Sequence, residues 1–271
     1  MTSESGSAQS SSSSAMLVLN ASTRAAGLGD AYVLSAAESD AIFHHPGLLD
    51  AARGIAFSRA WIGNAGAATT LSGAGDWFRG GVGFGLQALS TETSSEQVAS
   101  LAYGRARFGL RIGVVAKVVD QRVDDERETY GAADVGVARA IGRVLLGLTG
   151  RNLGPDPSFD SGDGRLPSVL SLGAATRSRA TGPLDLILAA RASWVRDGRF
   201  GFGGGIEAGY WPVTGRTFFA RVGYSETDES GLEPLTLGGG FAGDRLTLDY
   251  AFQAGEADSG GDVHRVTLRW R

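Results

Sequence analysis

The clearest indication of the fold of this 271-residue chain is the stretch Phe108-Gly109-Leu110-Arg111-Ile112-Gly113-Val114-Val115-Ala116-Lys117-Val118-Val119. Every second side chain from Phe108 to Val118 is apolar, whereas Arg111 and Lys117 occupy alternate positions. A period of two predicts a β-strand with two different faces. A wholly apolar face opposite a face that carries full charges is typical of a strand with lipid outside and a lumen inside.

The same period recurs toward the C-terminus and predicts about fourteen strands, mostly near the roughly 9–11 residues that a tilted membrane strand needs. The predicted strands are 54–61, 65–71, 81–89, 98–106, 108–119, 130–139, 143–151, 167–176, 184–194, 200–210, 217–224, 235–241, 245–253 and 263–270. An even number lets the first and last strands close antiparallel. We therefore predict an all-β fold in which residues 51–271 form a transmembrane antiparallel up-and-down β-barrel.

The connections between these strands support a membrane barrel over a soluble β-sandwich, which also alternates. Most of them alternate between tight turns, such as 140–142, and longer loops, such as 120–128; the first two connections break this rule. The longer loops are acidic, with Asp124, Asp125, Glu126, Asp156, Asp160, Asp163, Glu226, Asp228 and Glu229. A sandwich has no reason to sort loop length and charge by side. The five Trp fall near strand ends or turns, which predicts aromatic girdles at the headgroups.

The composition excludes several classes of function. A formal net charge of −4 provides no basic excess for binding nucleic acid. The absence of Cys leaves no disulfide framework and no thiolate metal site. The 42 Gly lie inside apolar alternating segments, so they indicate a crowded β-architecture rather than disorder.

No catalytic or metal-binding pattern stands out. His44 and His45 are adjacent and point differently, and the chain has no Gly-x-Ser-x-Gly nucleophile motif. Residues 80–85 look like a phosphate-binding loop, but no helix follows them. We expect Gly81, Gly83 and Gly85 to make room for a plug or a bulge. The sequence therefore predicts a protein that is not an enzyme and holds no cofactor or metal.

The N-terminal region differs from the rest. Residues 1–15 are Ser-rich and predict a disordered tail. Residues 16–50 predict a small folded plug, in which the Ala-rich stretch 31–41 favours a helix that ends near Pro46. Residues 1–5 have neither the basic start nor the apolar core of a signal peptide. We expect that an export signal was trimmed or that the start site is misplaced.

Residues 24–31 (RAAGLGDA), 35–41 (SAAESDA) and 44–48 (HHPGL) resemble the entry segment of the PorV/PorQ and FadL-like outer-membrane barrels. Residues 133–136, 151–154, 221–224 and 248–252 are similar to later parts of the same group. The resemblance implies a bacterial outer-membrane location and a fourteen-stranded barrel with its N-terminal segment inside. The plug-motif residues that it assigns are Arg24, Gly27, Gly29, Asp30, Asp40, His45 and Pro46. His45 and Gly47 depart from the usual Asn and Ala of the group.

Alternation places a set of charges on the lumen side of the predicted strands. They are Arg111, Lys117, Asp134, Arg143, Arg151, Asp185, Arg191, Glu207, Arg221, Arg245, Asp249, Arg265 and Arg269. Buried charges are costly unless they are paired, so an ion-pair network with Arg24, Asp30 and Asp40 of the plug is the preferred interpretation. The alternative is an electropositive path for an anionic solute.

Two functions remain open. The resemblance to PorV/PorQ implies a plugged, secretion-associated docking or structural barrel that binds secretion-machinery or cargo proteins. The alternative is FadL-like uptake of hydrophobic small molecules across the outer membrane. The short, acidic loops favour docking over hydrophobic capture. In either case, outer-membrane lipid surrounds the barrel.

Overall fold

The computed structural model describes residues 14–19, 21–31, 34, 38–63, 66–91, 94–123, 126–159, 162–227, 231–256 and 261–271. Most of the predicted Ser-rich tail lies outside these residues. So do five acidic loop residues named above, namely Asp124, Asp125, Asp160, Asp228 and Glu229.

The N-terminal segment forms short helical turns. They are α1 (Ala15–Val18), α2 (Thr23–Ala26) and two 3-10 helices, Ser39–Phe43 and Pro46–Asp50. Ser14 and Ser22 are the N-caps of α1 and α2, and each hydroxyl accepts a backbone N–H at 3.3 Å. Over residues 38–43, where a helix was expected, the described chain is a bridge residue followed by a 3-10 helix. In the described residues, no helix has the length and apolar character needed to cross a membrane.

Seventeen strand segments follow, and their hydrogen bonding closes a barrel. They are β1 (Gly54–Ile62), β2 (Gly66–Trp77), β3 (Gly80–Ser90), β4 (Ser94–Arg107), β5 (Leu110–Val123), β6 (Glu126–Ile141), β7 (Val144–Leu153), β8 (Ser158–Phe159), β9 (Gly162–Asp163), β10 (Val169–Thr176), β11 (Arg179–Thr181), β12 (Leu184–Val195), β13 (Phe200–Val213), β14 (Arg216–Thr227), β15 (Leu232–Ala242), β16 (Leu246–Gly255) and β17 (Val263–Trp270). β8 and β9 form a separate hairpin in the loop after β7. β10 and β11 both pair with β12 as successive parts of one strand.

Every barrel strand pairs antiparallel with its neighbours, and β1 pairs with β17. The predicted fourteen-stranded antiparallel barrel is therefore confirmed. Closure removes the free edges that an open sheet would leave exposed.

The two ends of the barrel differ in their connections. At one end, which we call the turn end, connections of two or three residues join β2 to β3, β4 to β5, β6 to β7, β11 to β12, β13 to β14 and β15 to β16. The opposite, loop end carries the longer connections 154–168 and 256–262. The predicted loop 120–128 is shorter than expected, because β5 runs to Val123 and β6 begins at Glu126. β2 runs to Trp77, so the second connection is tight and its predicted length was an error of strand length. The first connection still breaks the rule, because β1 ends at Ile62 and β2 begins at Gly66. In barrels of this kind the shorter turns face the periplasm, so we expect the turn end on the periplasmic side.

The ends also differ in charge. Arginines gather at the turn end, namely Arg53, Arg79, Arg105, Arg107, Arg139, Arg143, Arg177, Arg216, Arg245 and Arg271. Described acidic residues gather at the loop end, namely Asp120, Glu126, Glu128, Asp156, Asp197, Glu226, Glu233, Glu256 and Asp262.

The outer wall is apolar. Large hydrophobic side chains point outward along the strands, and Leu101 and Leu188 are 70% and 52% exposed. All five Trp are exposed: Trp77, Trp211 and Trp270 near the turn end, and Trp61 and Trp194 near the loop end. A soluble protein does not cover itself with such side chains, so this wall faces lipid between two aromatic girdles.

Candidate functional site

The plug, which we define as residues 14–52, lies inside the barrel and packs against opposite walls. α2 contacts β15, β16 and β17, whereas the second 3-10 helix contacts β2 to β6. Leu28, Ile42, Leu48 and Leu49 are completely buried. The plug therefore supplies the apolar core of a lumen that would otherwise hold water.

Six buried charges form a closed ring between plug and wall, which we call the charge ring. In order of contact, its members are Arg24, Glu38, Arg269, Asp249, Arg221 and Glu207. Arg24 Nε and Arg221 Nε donate to the same Glu207 oxygen, Oε2, at 2.7 and 2.6 Å. Asp249 Oδ1 lies 2.5 Å from Arg221 Nη1, and Asp249 also binds Arg269. Glu38 lies 3.1 Å from both Arg24 Nη1 and Arg269 Nη2 and closes the ring.

The signs alternate around the charge ring, so each member has an opposite charge on both sides. Arg24 and Glu38 come from the plug, and the other four come from β13, β14, β16 and β17. Asp40 adds a contact of 3.3 Å to Arg269 Nη2. Since buried ions are tolerated only when they are paired, this arrangement fastens the plug to one side of the wall. It is an ion-pair network and offers an anion no unpaired guanidinium within the ring.

A second polar cluster lies on β5, β6 and β7. Lys117 Nζ lies 2.7 Å from Asp134 Oδ2 and donates to Asn152 Oδ1 at 2.9 Å. The Asn152 amide Nδ2 donates to the carbonyl oxygens of Leu17 and Pro167 at 3.2 and 3.0 Å. This cluster therefore joins the wall, the plug and the loop after β7.

Glu96 on β4 holds the start of the plug. Its buried carboxylate accepts hydrogen bonds from the backbone N–H groups of Ala15 and Met16, each at 3.0 Å, and from the Ser14 hydroxyl. A carboxylate at the first turn of a helix satisfies donors that have no partner within the helix. Sequence reasoning missed Glu96 because the predicted strand began only at residue 98. It missed Glu38 because that residue fell in the predicted helix.

Wall glycines make room for the backbone of the plug. A Cβ added to Gly203 would lie 1.9 Å from the backbone oxygen of Gly29, and a Cβ added to Gly223 would lie 2.1 Å from its backbone nitrogen. Across the lumen, a Cβ on Gly81 would lie 1.6 Å from the Leu49 oxygen, and one on Gly113 would lie 2.3 Å from Pro46. Two glycine surfaces on opposite walls therefore receive the plug, as expected for residues 80–85.

The other residues predicted for the plug motif and the lumen wall lie outside the charge ring. Arg111 lies 3.5 Å from Asp50 of the plug, and Asp185 and Arg191 face inward from β12 and are half-buried. The buried His45 ring lies beside Gly147, whose added Cβ would approach Nε2 to 2.7 Å. Asp30 is half-buried and has a positive φ of 58°.

Arg143 does not face the lumen. It lies in the turn between β6 and β7 with an exposed side chain, and Arg245 is likewise exposed in the connection before β16. The prediction was wrong for both residues because alternation holds only within a strand, and β7 and β16 begin just after them.

Gly27 of the predicted plug motif is the C-cap of α2, and a Cβ added to it would lie 3.2 Å from the Cα of Gly238 in the wall.

An apolar cluster closes the lumen beneath the loops, and we call it the loop-end cluster. It consists of Met16, Leu17, Ala60, Ala68, Leu89, Val98, Val119, Tyr130, Ala132 and Leu166. Met16 and Leu166 are each 1% exposed. The Leu166 N–H donates to Asp156 Oδ1 at 3.0 Å, which fixes this loop and, with Arg196 nearby, lowers the pKa of Asp156.

Among the described residues, little space remains between the plug and the neighbouring wall strands β1, β2 and β17. A cavity between the plug and β1, β2 and β17 measures only about 10 Å³. Thr23, Ser58, Thr70 and Arg265 are among its lining residues. This volume is at the lower limit for one water molecule.

Comparison with known proteins identifies the fold. No family model and no curated protein sequence matches the chain. The Ralstonia pickettii toluene transporter TbuX superposes with a TM-score of 0.55 at 12% identity, covering 92% of this chain and 97% of that one. The CymD monoaromatic hydrocarbon channel gives 0.56 at 11%, covering 85% and 91%. A Pseudomonas aeruginosa FadL homologue gives 0.54 at 11%, covering 92% and 97%.

These structures agree with the FadL-like part of the sequence resemblance and give no support to the PorV/PorQ part. At such low identity, the likeness is one of fold. Together with the apolar outer wall, it places the chain among the bacterial outer-membrane β-barrels.

Proposed function

We propose that this barrel is a FadL-like uptake channel for small hydrophobic molecules, with the plug as its gate. The observation that carries the proposal is the loop-end cluster, an apolar site at the outer mouth of a barrel whose fold matches named hydrocarbon channels. From the sequence alone, the short, acidic loops favour a docking role over the capture of hydrophobic molecules. The apolar residues at the mouth come mainly from the inner faces of strands, where loop composition gives no sign of them.

Met16 and Leu17 occupy the place that a hydrophobic molecule would take. Both are buried among apolar wall residues, and α1, which carries them, is a single turn. An isolated turn of helix is unstable by itself, so Glu96 and Asn152 hold it in place. If α1 moved away, it would leave a space lined mainly by the apolar wall residues of the loop-end cluster, together with Glu96 and Asn152. Apolar cavities of about 150 Å³ bind molecules the size of benzene.

Passage beyond this site requires the rest of the plug to shift within the barrel. A disulfide between plug and wall should therefore block uptake. The Ser39 and Ser72 hydroxyl oxygens lie 2.9 Å apart, Ser39 in the plug and Ser72 on β2, and the chain has no Cys of its own. The variant Ser39→Cys/Ser72→Cys tethers the plug when it is oxidised.

The matched control is Ser58→Cys/Thr267→Cys, whose disulfide joins β1 to β17 and makes no covalent bond to the plug. It removes only the hydrogen bond between Thr267 and Thr23 of the plug. The assay is uptake of radiolabelled toluene by cells of a Gram-negative host that express the full chain. We expect oxidation to abolish uptake by the tethered variant, reduction to restore it, and the control to transport in both states. Equal uptake by the oxidised tethered variant, or no uptake above empty cells by any form, would overturn the proposal.

A further inference from the structure

Three arginines point outward from the wall at the turn end. Arg105 and Arg107 lie on β4 at positions that alternate with the inward residue 104; Arg105 is half-buried and Arg107 is exposed. In the sheet register, Arg107 pairs with Leu110, which in turn pairs with Arg139 on β6. Strand spacing puts the Cα atoms of Arg107 and Arg139 roughly 10 Å apart, and those of Arg105 and Arg107 about 7 Å apart. Three long cationic side chains can therefore meet over one site.

These side chains have no acidic partner among the residues that the structure describes. Two other arginines at this end are paired, Arg53 with Asp76 and Arg111 with Asp50. Arg107 instead lies over the ring of Phe108, at 4.7 Å from its centroid. A guanidinium without a counter-ion at the edge of an apolar wall is available to bind an anion from its surroundings.

The depth of the three arginines limits what that anion can be. Exposed apolar side chains flank them, with Phe78 79%, Phe108 86% and Ile141 59% exposed. Trp77 and Trp270 lie near the same end of the barrel. Aromatic side chains mark the headgroup level of a membrane, where the available anions are lipid phosphates.

We propose that Arg105, Arg107 and Arg139 form a binding site for an anionic phospholipid of the leaflet at the turn end. Guanidinium groups bind phosphate oxygens through paired hydrogen bonds, and the exposed rings beside them would pack on the acyl chains. The excess of arginine over the whole turn end attracts the same headgroups, whereas the acidic loop end repels them.

The test is native mass spectrometry of the full-length barrel titrated with dioleoyl phosphatidylglycerol. A basic residue at an anionic surface contributes about a factor of five in affinity, so we expect Arg105→Gln/Arg107→Gln/Arg139→Gln to weaken binding roughly 100-fold. The control Arg165→Gln/Arg196→Gln/Arg199→Gln removes equal charge at the loop end and should retain binding. Arg107→Lys/Arg139→Lys keeps the charge, so it should fold normally and bind with intermediate affinity.

Two further arms separate the lipid from other sources of phosphate and from general lipid adhesion. Excess inorganic phosphate should not displace the lipid, since the acyl chains contribute to binding. Phosphatidylcholine should bind all variants equally. The proposal is wrong if the two triple variants lose phosphatidylglycerol to the same extent, or if free phosphate competes fully.

Discussion

Arg24 shows how one residue links the two parts of this protein. Its guanidinium contacts Glu38 in the plug and Glu207 on β13, and its centre lies 5.8 Å from the Phe219 ring centroid. Glu207 is only 2% exposed and serves Arg24 and Arg221 at once. Removing this one carboxylate would leave two buried cations without a shared partner.

We therefore expect Glu207→Gln to lower the free energy of unfolding by about 3–5 kcal/mol, the usual cost of breaking a buried ion pair. The control is Asp197→Asn, since Asp197 pairs with Arg199 where both side chains are about a third exposed. That change should cost at most about 1 kcal/mol. Urea titration of both variants in lipid vesicles measures the difference, and equal costs would mean that the charge ring does not hold the plug.

At the scale of elements, the turn after α2 packs closely against three strands because glycines lie on both sides of the contact, in the plug and in the wall. Gly29 has a φ of 66°, and a Cβ there would lie 2.1 Å from the Tyr224 oxygen of β14. The Gly29 N–H also donates to Thr236 Oγ1 at 3.0 Å. The backbone of the plug thus replaces the side chains that would fill the lumen of an ordinary small barrel.

Gly29→Ala should destabilise the protein by two additive effects. A non-glycine residue at positive φ costs about 1–2 kcal/mol, and overpacking adds about 1–3 kcal/mol. Gly142→Ala isolates the first effect, because Gly142 has a φ of 59° in a turn with nothing within 4 Å of its added Cβ. The same urea titration should show a larger loss for Gly29→Ala; a loss no larger than that of Gly142→Ala would contradict close packing of plug and wall.

At the scale of the whole molecule, the barrel exposes apolar side chains and buries charged ones, the reverse of the distribution in a soluble protein. Its largest exposed surfaces are apolar side chains such as Leu101 and Leu188, while charges such as Glu207 and Asp249 are buried. This distribution is stable only where lipid covers the outside and the plug neutralises the inside.

Leu188→Arg tests that placement, since Leu188 faces outward near the middle of β12. An arginine at the bilayer midplane of a barrel costs roughly 2–4 kcal/mol. Thr214→Arg, in the exposed turn between β13 and β14, should change the free energy of unfolding by less than about 1 kcal/mol. Refolding into vesicles of defined thickness gives both values, and equal tolerance of the two changes would exclude a lipid-facing wall.

The number of barrel strands and the two faces of each could be predicted from the sequence alone. The period of two in residues 108–119 or 245–253 is a local property, because successive side chains of any strand alternate whatever the strand pairs with. Local patterning failed at strand ends, as for Arg143 and Arg245, since hydrogen bonding to a neighbour decides where alternation stops.

Which charges meet could not be predicted from the sequence, because it depends on the closed barrel. Arg24 and Glu207 are separated by 183 positions, and Ser14 and Glu96 by 82. Their contact depends on closure of the barrel, which brings distant strands around one plug. The same holds for the loop-end cluster, whose members come from several strands, the plug and one loop. Alternation assigns a side chain to the lumen, but only the closed barrel sets its height and its partner across the lumen.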